Sequence, residues 1–316
     1  MDKDFHFSTV YVLARWAGFN PGNSKAIATS SQFVDDNILG TAPEGKRISG
    51  HEVWQNIIDL KDNNEVWVPF HFLPGLEGTS ISEKLVCKKN SVFANKLISS
   101  LPDFTDSISL FQLGIALHVF ADTWAHREFS GVLTNKNTVN NFDVTFPNNT
   151  ALETLIKKDF VVSLPPLGHA NAGHLPDLPY ISWQCNPAFQ DGRNNWDEFT
   201  EAAQEIYKVL ASKSQSMQTE LTNQQKELLH DAFRTIQYPT FNERNDEWIR
   251  LIGRNEFKFS DFADEDMNIN YSPSFILDDE SFPDQFYEAL DNHYNFVNDE
   301  LNDNGINIQE SFSKLI

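Results

Sequence analysis

Apolar residues recur at helical spacing along most of this chain, and strict alternation is scarce. The pattern therefore predicts an all-α protein, a multi-helix bundle with long loops. Ser8 to Phe19 reads as a helix stopped by Asn20-Pro21-Gly22. Asn23 or Ser24 can cap a second helix running to about Asp36. Shorter helices are expected over 50–60, 90–101 and 151–159. Residues 66–75 read as extended or turn-like, because each of their prolines disfavours helix in the residue before it. A long central helix is expected from Asp106 or Ser107 to about Phe129, followed by a polar, Asn-rich loop over 131–148. Helices are again expected over 196–221, 224–236, 243–252 and 283–301, with an acidic irregular stretch at 253–280.

The central helix carries the strongest chemical signal. His118, Asp122 and His126 stand at i, i+4 and i+8. Each step of four drifts only about 40° around the helix and rises roughly 6 Å, so the three side chains share one stripe. Leu, Ile, Phe and Trp surround them. Burying two imidazoles and a carboxylate in such a frame is costly unless they are paired or bound to metal.

Composition narrows the class. With 316 residues, 40% of them hydrophobic, and 26 Phe, the chain can bury a sizeable core. A formal charge of −21 repels phosphate backbones, which makes nucleic acid an unsuitable partner. Two cysteines, Cys87 and Cys185, give neither a disulfide framework nor a Cys-rich zinc site. The N-terminus lacks a signal pattern and no run approaches about 18 apolar residues, so a cytoplasmic protein without a transmembrane segment is expected. The oligomeric state is not legible.

Six of the nine histidines lie in apolar, punctuated contexts: His6, His71, His118, His126, His169 and His174. His51, His230 and His293 fall on polar helical patterns and read as surface residues. Carboxylates accompany the first set at Asp4, the Asp35-Asp36 pair and Asp177. Histidine and aspartate without cysteine suit zinc or another borderline divalent ion. Such an ion brings the pKa of its water towards neutrality, and Asp122 between two histidines is placed to bridge two ions. The competing structural readings are a buried hydrogen-bonded network for the stripe, a packed loop histidine for His71, a solvated helix end for Asp35-Asp36, and a cap or turn residue for Asp177. The His230-Asp231 dipeptide has no matching upstream His and downstream Asp for His-Asp phosphohydrolase chemistry.

The order His6, Asp35 or Asp36, His71, His118, Asp122, His126, His169 resembles the ligand order of the zinc-dependent phospholipase C and single-strand nuclease superfamily, whose members are all-helical and hold three zinc ions. The chain resembles still more closely an uncharacterised bacterial family of unknown function. The strings carrying that likeness are Tyr-Val-Leu-Ala-Arg at 11–15, Ser-Ser-Gln-Phe-Val-Asp-Asp at 30–36, Pro-Phe-His-Phe-Leu-Pro-Gly at 69–75, Ala-Asp-Thr-Trp-Ala-His at 121–126 and Pro-Asp-Leu-Pro-Tyr at 176–180. The resemblance covers roughly residues 4–200. It implies one ion on Asp36, His71, His118 and Asp122, a second on Asp122 and His6, and a third on His126 and His169 with His174 or Asp177. Asp4 either substitutes for the N-terminal amine that the superfamily uses as a ligand, or that site is absent.

The reading is therefore a metal-binding helical domain over 1–200 with a helical extension over 201–316 packed on it, or one single domain. One to three divalent ions, foremost Zn2+, are expected. The expected activity is hydrolysis of a small-molecule or lipid-headgroup phosphoester by metal-bound hydroxide, with Asp35 or Asp36 orienting the water where it is not a ligand. Two rivals stand: a catalytically silent, metal-stabilised helical protein that binds a partner, and a metallohydrolase of a non-phosphate substrate.

Overall fold

The computed structural model describes residues 1–51, 60–103, 106–146 and 165–308, with backbone alone for 60–63. The helix expected over 50–60 lies outside the described residues except at its ends, and the one expected over 151–159 lies wholly outside them. The chain opens on a wide π-type turn, Asp4–Thr9, that runs into α1 (Val10–Trp16). Then come α2 (Pro21–Asp36), α3 (Leu60–Phe70), the single turn α4 (Ile81–Lys84), α5 (Val92–Ser100) and α6 (Ser107–Ala125). Strands β1 (Asn140–Thr145), β2 (Ser182–Asn186) and β3 (Phe189–Asn194) follow. The last third holds α7 (Asn195–Ser214), α8 (Asn223–Thr235), α9 (Phe241–Gly253), the single turns α10 (Asp264–Met267) and α11 (Ser274–Leu277), and α12 (Phe282–Asp303).

The all-α expectation is corrected here. Beside the helices stands a three-stranded antiparallel sheet in the order β1-β2-β3. β1 lies inside the stretch expected to be loop. β2 and β3 form a hairpin in which Trp183 and Cys185 turn inward while Ser182, Gln184 and Asn186 turn outward. Trp183 and Phe189 join Phe72, Phe129 and Tyr180 in a small core under this sheet. A larger core takes side chains from Phe5 and Phe33 through Phe120 and Trp124 to Trp248, Val297 and Ile308, so both halves of the chain contribute to it.

Two local expectations also change. Residues 66–70 are helical, not extended, although Pro69 sits inside α3. Pro69 forfeits only its own amide bond in the last turn, and the amides of His71 and Phe72 both close on the Trp67 carbonyl. The cap of α2 is Asn20, whose side chain accepts from the Asn23 amide, with Pro21 following at the favourable first helical position.

Helix α6 is apolar on every side and buried, as a central core helix should be. By length and composition alone it could cross a membrane; in this fold it lies inside the protein. Helices α2, α7 and α12 pack around it. The α2 contact is close because residue 114 is glycine. A Cβ there would sit 1.9 Å from Ser30 Oγ and 2.3 Å from the Ile27 carbonyl oxygen.

His293, expected at the surface, is buried on α12, donating to the Pro69 carbonyl at 2.9 Å and stacking on Phe70. Burial pushes its pKa down to about 4, against the hydrogen bond to Pro69. The unfolded chain, with a histidine near 6.5, then binds more protons between those values, so stability falls as pH drops through that window. Between pH 7 and pH 5 this one group should cost about 2 kcal/mol. His293→Phe should flatten that part of the pH dependence in urea unfolding while costing about 1–3 kcal/mol at pH 7 for the orphaned carbonyl. An unchanged slope would count against the assignment.

Candidate metal centre

Five segments converge on the inner face of α6. The π-type turn brings His6, the end of α2 brings Asp35, and the residue after α3 is His71. The α6 stripe supplies His118 and Asp122, with His126 as its C-terminal cap. Two short 3-10 turns, Ala170–Ala172 and Leu175–Asp177, follow His169 and carry Asp177. Gly168, at φ +53°, turns the chain into His169, and a Cβ there would meet Phe72 at 2.4 Å.

Among the described residues, the ligand-type atoms fall into three groups that could each hold an ion: Asp35, His71 and His118; His6, His118 and Asp122; and His126, His169 and Asp177. In the first, His71 Nδ1 and His118 Nε2 are 3.3 Å apart. Asp122 Oδ2 lies 3.5 and 3.4 Å from them, and Asp35 Oδ1 lies 3.7 Å from each. A tetrahedral zinc with N and O bonds of about 2.0–2.1 Å separates its ligand atoms by roughly 3.3–3.4 Å. His71 Nδ1, His118 Nε2 and Asp122 Oδ2 thus stand near three of the corners such an ion requires, with Asp35 Oδ1 somewhat further from both imidazoles. Within this first group the carboxylate–imidazole separations are too long for good hydrogen bonds, which disfavours a purely hydrogen-bonded pairing there.

Asp122 divides its oxygens. While Oδ2 faces the first group, Oδ1 lies 3.2 Å from His6 Nε2 and 2.6 Å from the Met1 amine. That amine is also 3.2 Å from Asp177 Oδ1. Asp177 divides its oxygens too: Oδ1 is 3.2 Å from His126 Nε2 and Oδ2 is 3.4 Å from His169 Nε2. Two carboxylates therefore link the three groups in a row.

The imidazoles are prepared as donors. His71 Nε2 lies 2.7 Å from the Ser49 carbonyl, His126 Nδ1 2.8 Å from the His71 carbonyl, and His169 Nδ1 2.9 Å from the Gly173 carbonyl. A carbonyl only accepts, so each of these nitrogens carries a proton, and the opposite nitrogen is the one turned towards the carboxylates. Both ring nitrogens of His6, Nδ1 of His118 and Oδ2 of Asp122 are buried without a hydrogen-bond partner. Of these, His6 Nε2 and Asp122 Oδ2 face the other ligand atoms and are what a divalent ion at this place would satisfy, so the residues fit the group.

The electrostatics agree. Burial, and next the Met1 amine, push His6 down to about 4; burial likewise holds His118 well below 6.5 and His169 at about 4. Burial alone would raise Asp122, but His126, the Met1 amine, His118 and His6 together hold it well below the carboxylate range. Burial, and then the Asp122 charge, push Asp35 well above that range. Burial opposes the charged Met1 amine, yet Asp122, Asp177 and Asp35 outweigh it and raise it to about 11. Buried carboxylates beside imidazoles whose protonation burial opposes, as at His6, His118 and His169, make a pocket that favours a cation.

Some residues singled out in the sequence stand apart from the groups. Asp36 points outward, its Oδ2 accepting the Tyr271 hydroxyl at 2.5 Å, so Asp35 and not its neighbour faces His71. Asp4 pairs with Arg244 at 3.1 Å, and the group that meets His6 and Asp122 is the Met1 amine. His174 is exposed, and Asp177 takes the position beside His126 and His169. Sequence reasoning passed over Gln32, whose amide nitrogen lies 3.3 Å from Asp35 Oδ2. Its place one helical turn before Asp35 on α2 was a readable signal.

No curated protein and no solved structure matches this chain. The profile of a family of unknown function, DUF6765, matches residues 1–312. A match over nearly the whole length places the chain in that family of unknown function (DUF6765).

Proposed function

We propose that this chain is a metal-dependent phosphoester hydrolase built on a zinc centre of the phospholipase C type. The observation carrying the reading is Asp122, whose Oδ2 lies 3.5 and 3.4 Å from His71 and His118 while its Oδ1 lies 3.2 Å from His6. Bound ions supply a water of near-neutral pKa and offset the charge that develops on phosphorus. Asp35, whose side chain is 31% exposed, is the solvent-facing member of the first group, and we assign its carboxylate the orientation of the attacking water in place of ligation. His169, at the far end of the row, is 21% exposed. A small or lipid-headgroup phosphoester suits a chain of charge −21 better than a nucleic-acid backbone does.

The burial of His6, His118 and Asp122 supports one rival, a closed structural site that stabilises the fold without turnover. Metal analysis and hydrolysis of bis-para-nitrophenyl phosphate separate the two. We expect one to three equivalents of divalent metal, with turnover abolished by chelator and restored by Zn2+. Full turnover after stoichiometric removal of metal would sink the hydrolase reading. Metal-dependent folding with no turnover would establish the structural module instead.

A further inference from the structure

The junction between β3 and α7 holds two side chains whose partners lie on opposite sides of the His126–His169–Asp177 group. Arg193, 3% exposed at the end of β3, donates from Nη1 to the Ala125 carbonyl and from Nη2 to the Trp124 carbonyl, both at 2.9 Å. These are the last carbonyls of α6, which have no partner within the helix, and a cation there also complements the helix dipole. His126 is the next residue. The guanidinium is itself fixed by Glu198 in the first turn of α7, at 3.1 Å from Nε and 2.6 Å from Nη2, and packs over the Phe189 and Trp183 rings.

Two residues on, the fully buried Asn195 turns the other way. Its Nδ2 donates to the carbonyls of Leu175 at 2.6 Å and Leu178 at 2.7 Å, which bracket the 3-10 turn carrying Asp177. Its Oδ1 accepts from Trp183 Nε1 at 3.0 Å, so the amide has no freedom to flip. One short stretch of backbone thus grips the His126 side and the Asp177 side at once.

We propose that Arg193 and Asn195 are positioning residues that set the separation of His126 from Asp177 and His169, and through it the occupancy of the third ion. The occupancy part rests on the metal centre proposed above; the positioning part does not. A planar, two-donor guanidinium spanning consecutive carbonyls is a contact lysine cannot reproduce.

The test compares Arg193→Gln, Arg193→Lys and Asn195→Ala with Leu229→Ala, a control that truncates the core between α7 and α8. Two quantities are read: the ring 15N resonances of His126 in metal-free protein, and Zn2+ binding by titration of the full chain. Arg193→Gln and Asn195→Ala should each shift the His126 ring resonances and weaken one equivalent of metal by at least about tenfold, leaving the others in place. Arg193→Lys should fall between these and wild type. Leu229→Ala should lower thermal stability without moving either readout. Ring resonances and titrations like those of wild type, or changes matched by Leu229→Ala, would overturn the proposal. If wild type takes up no Zn2+, the metal centre falls and the ring resonances alone decide the positioning role. Should Asn195→Ala fail to fold, the two Arg193 variants decide it.

Discussion

Asp122→Asn should strip the protein of more than one equivalent of metal. The substitution keeps shape and volume but leaves one oxygen where there were two, and an amide nitrogen has no lone pair to offer an ion. Asp122 Oδ2 faces His71 and His118 while Oδ1 faces His6, so the amide can serve at most one group in either orientation. Both groups also lose a negative charge that is buried and helps bring a cation into a low-dielectric pocket. The same change removes the nearer carboxylate of the Met1 amine, at 2.6 Å, and leaves Asp177 at 3.2 Å. The metal-free variant should therefore also melt below wild type, by less than the about 3–5 kcal/mol that a fully unpaired buried charge costs. Elemental analysis of purified Asp122→Asn beside wild type, with melting curves for both, checks this. Metal content equal to wild type would rule out the bridging role.

Gly114→Ala should be the most damaging single methyl in the helical core. The added carbon has to clear Ser30 Oγ and, less forgivingly, the Ile27 carbonyl oxygen, which belongs to the α2 backbone. A side chain can rotate aside, but a backbone oxygen moves only with its helix. The expected cost is therefore at or above the usual 1–3 kcal/mol of core overpacking, or several degrees of melting temperature. The damage should reach the metal centre, because α2 carries Asp35 and α6 carries His118, whose ligand atoms are 3.7 Å apart. Zn2+ affinity should drop together with stability. Gly40→Ala, where an added carbon meets nothing within 4 Å, should leave both unchanged. If Gly114→Ala melts and binds Zn2+ like wild type, the close α2–α6 contact is not what holds Asp35 in place.

The sequence made the stripe on α6 legible because three polar groups at spacing four in an apolar helix violate the ordinary cost of burial. Helices α7, α8, α9 and α12 were legible through their apolar periodicity, to within a few residues at the ends except for the C-terminus of α7. The hairpin was not, because Ser182–Asn186 alternates over only five residues, too few to stand out from a loop. β1 is mostly polar, and its strand character comes from pairing with β2 rather than from its own composition. The choice between Asp35 and Asp36 was beyond sequence reading, since adjacent residues on a helix point about 100° apart and either can face inward. Tyr271 settles it by taking Asp36, from a position 235 residues away. His293 did leave a signal: it lies in the stripe Leu290, Tyr294, Val297 that faces the core, and the charged neighbours Asp291 and Glu288 masked it.

The row of ligand groups has a consequence for how the chain comes apart. His126 and Asp177 are 51 residues apart, and His71 and His118 are 47 apart. An ion held across either of these gaps is a removable cross-link closing a long loop. Closing loops of this size is worth about 4 kcal/mol of unfolded-state entropy in the chain-entropy picture of disulfides. A loaded protein would then unfold at the pace at which its ions depart, and a chelator would act on it as a solvent for knots, loosening the whole chain rather than merely silencing one site.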